Sequence, residues 1–229
     1  MKTVLITGAS GDLGTAIADL FLKNDFFIFF HGKNKKSDFS FCEKNPQKTQ
    51  KIIADFSDFS AVEKMFSEIS AVDVLINNAG AVFRDPKISP ARFQKIFQIN
   101  AIAPYFCAEF SAAKKCRSIV NIGSMRGFPE SATTPDYSAS KAALHLLTAS
   151  LARKFAPKIR VNAVAPGFVA TKMHAGNENR LKIEAQKTPL RRVATPAEIA
   201  EMVFFVAEKA TFCTGEVFRA DGGRHFSEK

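Results

Sequence analysis

The chain has 229 residues, of which 46% are hydrophobic and 24% charged, a length that buries one full α/β core without help from disulfides or metals. Its four cysteines are scattered without CxxC spacing and its four histidines form no ligand cluster with them, which excludes a disulfide framework or a structural zinc site and reads as reduced, cytoplasmic cysteine usage. The net charge of +10 comes from lysines spread along the chain, a solvated basic surface with no nucleic-acid recognition motif, and no apolar run approaches the roughly 20 residues of a membrane span.

From the N-terminus, Thr3 to Thr7 reads as a short buried strand, with too little apolar length before the next turn for a signal-peptide core. It runs directly into Gly8-Ala9-Ser10-Gly11-Asp12-Leu13-Gly14, and Thr15 to Lys23 follows with helical periodicity, Ile17, Leu20 and Phe21 on one side. Strand, glycine turn and helix is the order a phosphate-binding loop requires. Glycines let the backbone approach a pyrophosphate, and the free N–H groups of the helix start attract the anion. Asp12 or Ser10 is expected to cap that helix. A second strand, Phe26 to Phe30, ends in His31-Gly32-Lys33-Asn34-Lys35-Lys36. In dinucleotide folds an acidic residue at this strand end selects NAD, and a basic one accepts the 2′-phosphate of NADP. No Asp or Glu occurs before Asp38, so the pattern favours NADP(H) over NAD(H), with Lys33 as the contact. The polar stretch to Gln50 predicts a reduced crossover or loop.

Lys51 to Asp55 is a third strand, whose end places Asp55 and Phe56 to hold the edge and face of an adenine. After a helix from Ala61 to Ile69, a fourth strand from Val72 to Ile76 ends in Asn77-Asn78-Ala79-Gly80, small residues suited to a crevice where a cofactor lies against backbone. A helix from Pro90 to Ala113 carries Asn100 in an apolar middle, either a satisfied core residue or a positioned functional one. Ser118 to Ile122 is a fifth strand with Gly123-Ser124 at its tip. Tyr137 to Phe155 is Ala/Leu-rich and predicted helical, which puts Tyr137 and Lys141 one turn apart on one face. An ammonium beside a phenol stabilises the phenolate, suiting Tyr137 to donate or accept a proton. Alone, such a pair is common on ordinary exposed helices. Ile159 to Val164 is a sixth strand ending in Pro166-Gly167, Phe168 to Arg192 is polar and irregular and predicts a lid, and Pro196 to Glu208 is a helix capped by Thr195. A last strand, Gly215 to Ala220, runs into Asp221-Gly222-Gly223. Strands and helices alternate throughout, which predicts one doubly wound, Rossmann-type α/β domain with a parallel sheet.

In this order, Thr7 to Gly14, Asn77 to Gly80, Asn100, Ser124, Tyr137 with Lys141, Pro166-Gly167 with Thr171, and Asp221-Gly222-Gly223 resemble the short-chain dehydrogenase/reductase family over nearly the whole chain. Thr188-Pro189-Leu190-Arg191-Arg192 and the stretch after Thr195-Pro196 look closest to its 3-oxoacyl-[acyl carrier protein] reductases. The resemblance implies Tyr137 as acid/base, Ser124 as the contact to the substrate oxygen, and Lys141 as the residue that lowers the tyrosine pKa and holds the nicotinamide ribose. Asn100 would fix a water relaying protons to Lys141. Gly8, Ser10, Gly11, Asp12, Leu13 and Gly14 would cradle pyrophosphate, Asp55 and Phe56 would contact adenine, and Asn78, Ala79 and Gly80 would line the crevice. Pro166, Gly167, Val169 and Thr171 would close over the nicotinamide. Gly11-Asp12 departs from the family's simpler branch, which carries a basic or small residue followed by Gly, so NADP preference rests mainly on Lys33.

The expected function is NADP(H)-dependent interconversion of a ketone and a secondary alcohol. A 3-oxoacyl thioester on an acidic acyl carrier protein is the leading substrate, and a sugar or other small carbonyl compound the alternative. A cofactor-binding regulator without turnover is the reading from a different class, opposed by the joint retention of Ser124, Tyr137, Lys141 and Asn100. The resemblance further implies a homodimer or homotetramer.

Overall fold

The computed structural model describes residues 1–83, 85, 87–128, 133–172 and 178–226. Its strands are β1 (Lys2–Ile6), β2 (Phe26–Gly32), β3 (Thr49–Ile53), β4 (Val74–Asn77), β5 (Ser118–Ile122), β6 (Arg160–Pro166) and β7 (Val217–Ala220). All pair in parallel in the order β3-β2-β1-β4-β5-β6-β7. Between them lie α1 (Asp12–Lys23), α2 (Ser40–Lys44), α3 (Phe59–Ser67), α4 (Pro90–Phe97), α5 (Ala103–Ala112), α6 (Pro135–Phe155), α7 (Glu178–Gln186) and α8 (Pro196–Phe204). The doubly wound parallel sheet expected from the alternation is present, and the strand order reverses between β1 and β4. That reversal opens a crevice at the carboxyl ends of the strands.

Helices on both faces explain why the central strands are continuous apolar runs. On one face Ile17 and Phe21 of α1 and Val203 of α8 pack on Val4, Ile6 and Ile76. On the other, Val62 and Phe66 of α3 and Ala103 and Cys107 of α5 cover Leu5, Leu75 and Ile119. The abundant phenylalanines serve this packing: Phe21 meets Phe26 and Phe204 edge-on at centroid separations of 5.0 and 5.1 Å.

Several elements differ from the sequence expectation. β2 continues through His31 and Gly32, because His31 is buried and joins the ladder to β3. The long helix expected from Pro90 is broken by a π turn, Gln98–Ile102, that carries Asn100. Pro104 explains the break: lacking an N–H, it cannot continue the α-helical ladder, and the widened turn accommodates it. The helix from Pro196 likewise loosens into a π turn at Phe205–Lys209. The expected irregular stretch 168–192 contains α7, rich in the helix formers Glu, Arg, Leu and Lys; residues 173–177 of the expected lid lie outside the described residues. Among the described residues no helix is long and apolar enough to cross a membrane.

Candidate active site

The glycine turn after β1 is built for close approach. Gly8 has φ +62°, and its N–H donates to Nδ1 of His31 at 2.8 Å. A Cβ on Gly14 would stand 2.4 Å from the Gly8 carbonyl oxygen, so the start of α1 lies directly against the turn. Neither Asp12 nor Ser10 caps α1, contrary to expectation. Gly11 occupies the cap position with no side-chain bond, and Asp12, the first helical residue, turns its carboxylate away to accept the Lys172 N–H at 2.5 Å. The first-turn amides of α1 therefore have no side-chain acceptor, the donor set an anionic pyrophosphate needs. Residues and cradle fit a dinucleotide.

The end of β4 is laced to the same turn. Asn78 donates through Nδ2 to the carbonyls of Thr7 and Gly8, both at 2.9 Å, and the Asn78 and Ala79 N–H groups donate to Thr7 Oγ1 at 3.0 Å. Gly80 faces Asn100 and Lys141: a Cβ there would lie 3.4 Å from Asn100 Oδ1 and 3.5 Å from Lys141 Nζ. Farther along, Gly167 after β6 abuts the Asp221 backbone, where a Cβ would come within 2.8 Å, and Asp221 in turn accepts from the Gly223 and His225 N–H groups. This is why the two distant motifs Pro166-Gly167 and Asp221-Gly222-Gly223 belong together. Val169 bridges to Ala194, holding the segment that ends at Thr171 beside the cleft.

At the adenosine end the picture is mixed. Asp55 accepts from the Ser57 N–H at 3.0 Å and lies 3.5 Å from Lys33 Nζ; although its partial burial opposes the shift, Ser57 and Lys33 hold its carboxyl below the ordinary range. Lys33 is exposed and its pair with Asp55 is a surface one. Phe56 corrects the expectation: its ring is buried and stacked on His31 at 4.6 Å, packed into the core and not offering a face to an adenine. His31 itself escaped the sequence reading. Its Nδ1 accepts from Gly8 and its Nε2–H donates to the Ala54 carbonyl at 2.9 Å, so it ties β1, β2 and β3 behind the cofactor turn. The only available signal was a polar residue continuing an otherwise phenylalanine strand.

Ser124, Tyr137 and Lys141 line one cleft at the ends of β5 and β6, together with Gly80 and Ile122. Burial pushes the Tyr137 phenol above its ordinary pKa, while the neighbouring Ser124 hydroxyl and the Arg126 charge pull the other way. Lys141 differs from the simple expectation. Its ammonium donates to the Ile122 carbonyl at 2.7 Å and stands 6.0 Å from the Tyr137 ring centroid, and burial lowers its pKa to about 8. Asn100 Oδ1 accepts from the Ala81 N–H at 2.8 Å, and its Nδ2 donates to Ala81 O at 2.9 Å and Ser140 Oγ at 3.0 Å. The amide thereby ties the loop after β4 to the helix that carries Tyr137.

A second histidine supports the site from below. His145 on α6 wedges between Gly123 and Gly127, where a Cβ on either would come within 2.3 or 2.5 Å of its ring, and its Nε2 accepts the Ser124 N–H at 3.4 Å. Burial lowers the pKa of both His31 and His145 to about 4. Both must stay neutral to accept their N–H partners. The unfolded chain binds protons near the ordinary histidine value of 6.5, whereas the fold resists them until about pH 4. Stability should therefore be full above about pH 6.5 and fall as the pH drops toward 4. Urea midpoints measured from pH 7 to pH 4.5 check this, and a flat profile would refute it.

A parallel doubly wound sheet with a glycine-rich turn at its switch point and a Ser/Tyr/Lys cluster in the adjoining cleft defines a dinucleotide-binding oxidoreductase. A family model described as enoyl-(acyl carrier protein) reductase matches residues 8–225. A 3-oxoacyl-[acyl-carrier-protein] reductase FabG of Aquifex aeolicus (strain VF5) is 32% identical over 232 residues, covering 97% of this chain and 87% of that protein. The structure of a 4-hydroxyisoleucine dehydrogenase complexed with NADH superposes with a TM-score of 0.92 at 27% identity, covering 100% of both chains. An angucycline C-6 ketoreductase LanV with bound NADP superposes with a TM-score of 0.89 at 26% identity, covering 98% of this chain and 96% of that one. The chain belongs to the short-chain dehydrogenase/reductase family. It is an oxidoreductase acting on CH–OH and C=O groups.

Proposed function

We propose that this enzyme interconverts a ketone and a secondary alcohol with NADP(H), and that Tyr137 is its acid/base. The observation that carries the reading is the meeting of Ser124, Tyr137 and Lys141 in one cleft beside the glycine turn. When bound, NADP(H) supplies or takes up the hydride. In the reducing direction Tyr137, kept protonated by its surroundings, gives its hydroxyl proton to the carbonyl oxygen. Ser124 donates to the same oxygen and steadies the charge that gathers there. Lys141 holds the nicotinamide ribose and keeps a positive charge under the site, Asn100 and His145 position the groups above them, and Asp55 lies toward the adenine. Ser10, Leu13 and the first turn of α1 take the pyrophosphate, and the 168–192 stretch serves as the lid.

NADP(H) is favoured by Lys33, which follows β2 directly in a stretch whose own sequence carries no acidic residue before Asp38. Its exposed pair with Asp55 is worth only about 0–1 kcal/mol, so a 2′-phosphate displaces the carboxylate readily. Lys33→Ala should weaken NADPH about tenfold, the size of a charge-assisted hydrogen bond, and leave NADH almost unchanged. Titration of both cofactors by fluorescence checks this. An equal loss for both would move the determinant elsewhere.

A 3-oxoacyl thioester on an acidic carrier protein is one substrate reading, supported by the FabG relative and the net charge of +10. A small carbonyl compound is the second reading, favoured by cationic side chains in the cleft. Exposed Phe93 on α4, Ile102 in the π turn before α5, and Leu146 on α6 support a homodimer or homotetramer, and the free cysteines suit the cytoplasm. Incubation with NADPH and a panel of oxoacyl thioesters, keto sugars and simple ketones, followed at the nicotinamide absorbance, tests the function. Cofactor binding without any turnover would leave a silent cofactor-binding regulator.

A further inference from the structure

The cleft holds charge that carbonyl reduction by itself does not use. Arg126, Arg180 and Arg224 line it beside Tyr137. Arg224 is buried and neutralised by Glu184; burial works against ionisation of that carboxyl, but the Arg224 hydrogen bond holds it below its ordinary range. The Arg180 guanidinium lies 5.7 Å from the centre of the Phe168 ring. Arg126 stands apart from both. It sits on the short 3₁₀ turn Met125–Gly127 directly after Ser124, and its own N–H donates to Ser124 Oγ at 3.1 Å. Its side chain is half-buried, and among the described residues no carboxylate pairs with it.

A guanidinium cannot shed its proton to escape partial burial, so an unpaired one in a cleft is costly until an anion arrives. Its position sharpens what that anion is. The Arg126 charge is felt at the Tyr137 phenol, so the anionic group lies close to the reacting oxygen. A single planar fork matches a carboxylate through two parallel N–H···O bonds, whereas phosphate sites usually gather several converging donors.

We propose that Arg126 binds a carboxylate of the substrate, which makes the substrate a small oxo acid and the product the corresponding hydroxy acid. The inference rests on the carbonyl reduction proposed above. The carbonyl carbon gains the hydride and the carbonyl oxygen gains the Tyr137 proton, while the carboxylate is held and left unchanged. A long acyl thioester carries no charge beside its carbonyl to meet that guanidinium. Arg126 thus sets substrate choice between the two readings.

The test compares 3-oxobutanoate and 4-oxopentanoate with their methyl esters, using wild type, Arg126→Gln and Arg126→Lys in the presence of NADPH. Each acid should exceed its ester in kcat/KM by about tenfold or more, the scale of a charged hydrogen bond. Arg126→Gln should erase that preference through KM, with the acids losing at least about tenfold more than the esters, and Arg126→Lys should restore part of it. Thermal stabilisation of the NADPH-bound protein by the acids, lost in Arg126→Gln, is the readout independent of turnover. Turnover without acid preference, or an equal loss on acids and esters in Arg126→Gln, overturns the inference and leaves carbonyl reduction standing. Arg126-dependent stabilisation by the acids without turnover of any compound supports the inference and overturns the reduction. No stabilisation and no turnover overturns both.

Discussion

Tyr137→Phe should lower carbonyl reduction by about 10²–10⁴-fold, the usual worth of a positioned general acid, while NADPH binding stays nearly intact. The substitution removes one oxygen from a residue whose backbone place is fixed independently. Ser140 Oγ donates to the Tyr137 carbonyl at 2.7 Å and itself accepts from Asn100, so the helix start does not depend on the phenol. What is lost is the hydroxyl beside Ser124, the proton donor of the proposed reduction. The phenol is raised by burial and so stays protonated at neutral pH, the form a reduction needs. Lys141, lowered to about 8, loses its charge within an accessible range. Reduction should therefore fall as pH rises through about 8, as the charge beneath the site disappears. Initial rates across pH 6 to 10 for wild type and Tyr137→Phe check both statements. Residual turnover near the wild-type rate would remove Tyr137 from the chemistry.

Much of this arrangement could be read from residue order, for a physical reason. Strand, glycine turn and helix at residues 3–23 are local, and each piece restricts the next, so the phosphate turn was legible without knowing its neighbours. The Tyr137/Lys141 pair was legible because a helix fixes the spacing of its own side chains. Contacts between distant segments were not. Asp12 looks like a helix cap because a short acid beside a glycine turn usually is one, yet its acceptor oxygen serves Lys172, 160 positions away. Phe56 looks like an adenine face until β2 is seen to carry His31 into the same layer, where the two rings stack. Lys141 looks like the neighbour of Tyr137, and only the position of the Ile122 carbonyl shows where its ammonium is held. His145 gave almost no signal, since a histidine in an apolar helix is ordinary. Its meaning comes from two glycines on another segment that make room for the ring.

The glycine turn offers a contrast that separates steric need from composition. Gly14→Ala should destabilise the protein by about 3 kcal/mol, the upper range for forced overpacking, and lower Tm by roughly 6–12 °C for a chain of this size. The added methyl would meet the Gly8 carbonyl oxygen at 2.4 Å and the Ala9 Cα at 2.6 Å, both backbone atoms that no rotamer change can move aside. Relief requires α1 to lift off the turn. That motion pulls Ile17 and Phe21 from the core and spreads the amides that would face a pyrophosphate, so cofactor affinity should fall with stability. Gly11→Ala is the control. Its φ of −84° is open to any residue, and its Cβ would meet nothing closer than the Gly8 oxygen at 3.7 Å, an ordinary contact. Melting temperatures of the cofactor-free proteins should therefore drop for Gly14→Ala and stay within about 2 °C for Gly11→Ala, as for most substitutions that create no clash. Equal melting temperatures for the two variants would show that α1 can move without cost, and the close approach of helix and turn would lose its role in shaping the cofactor site.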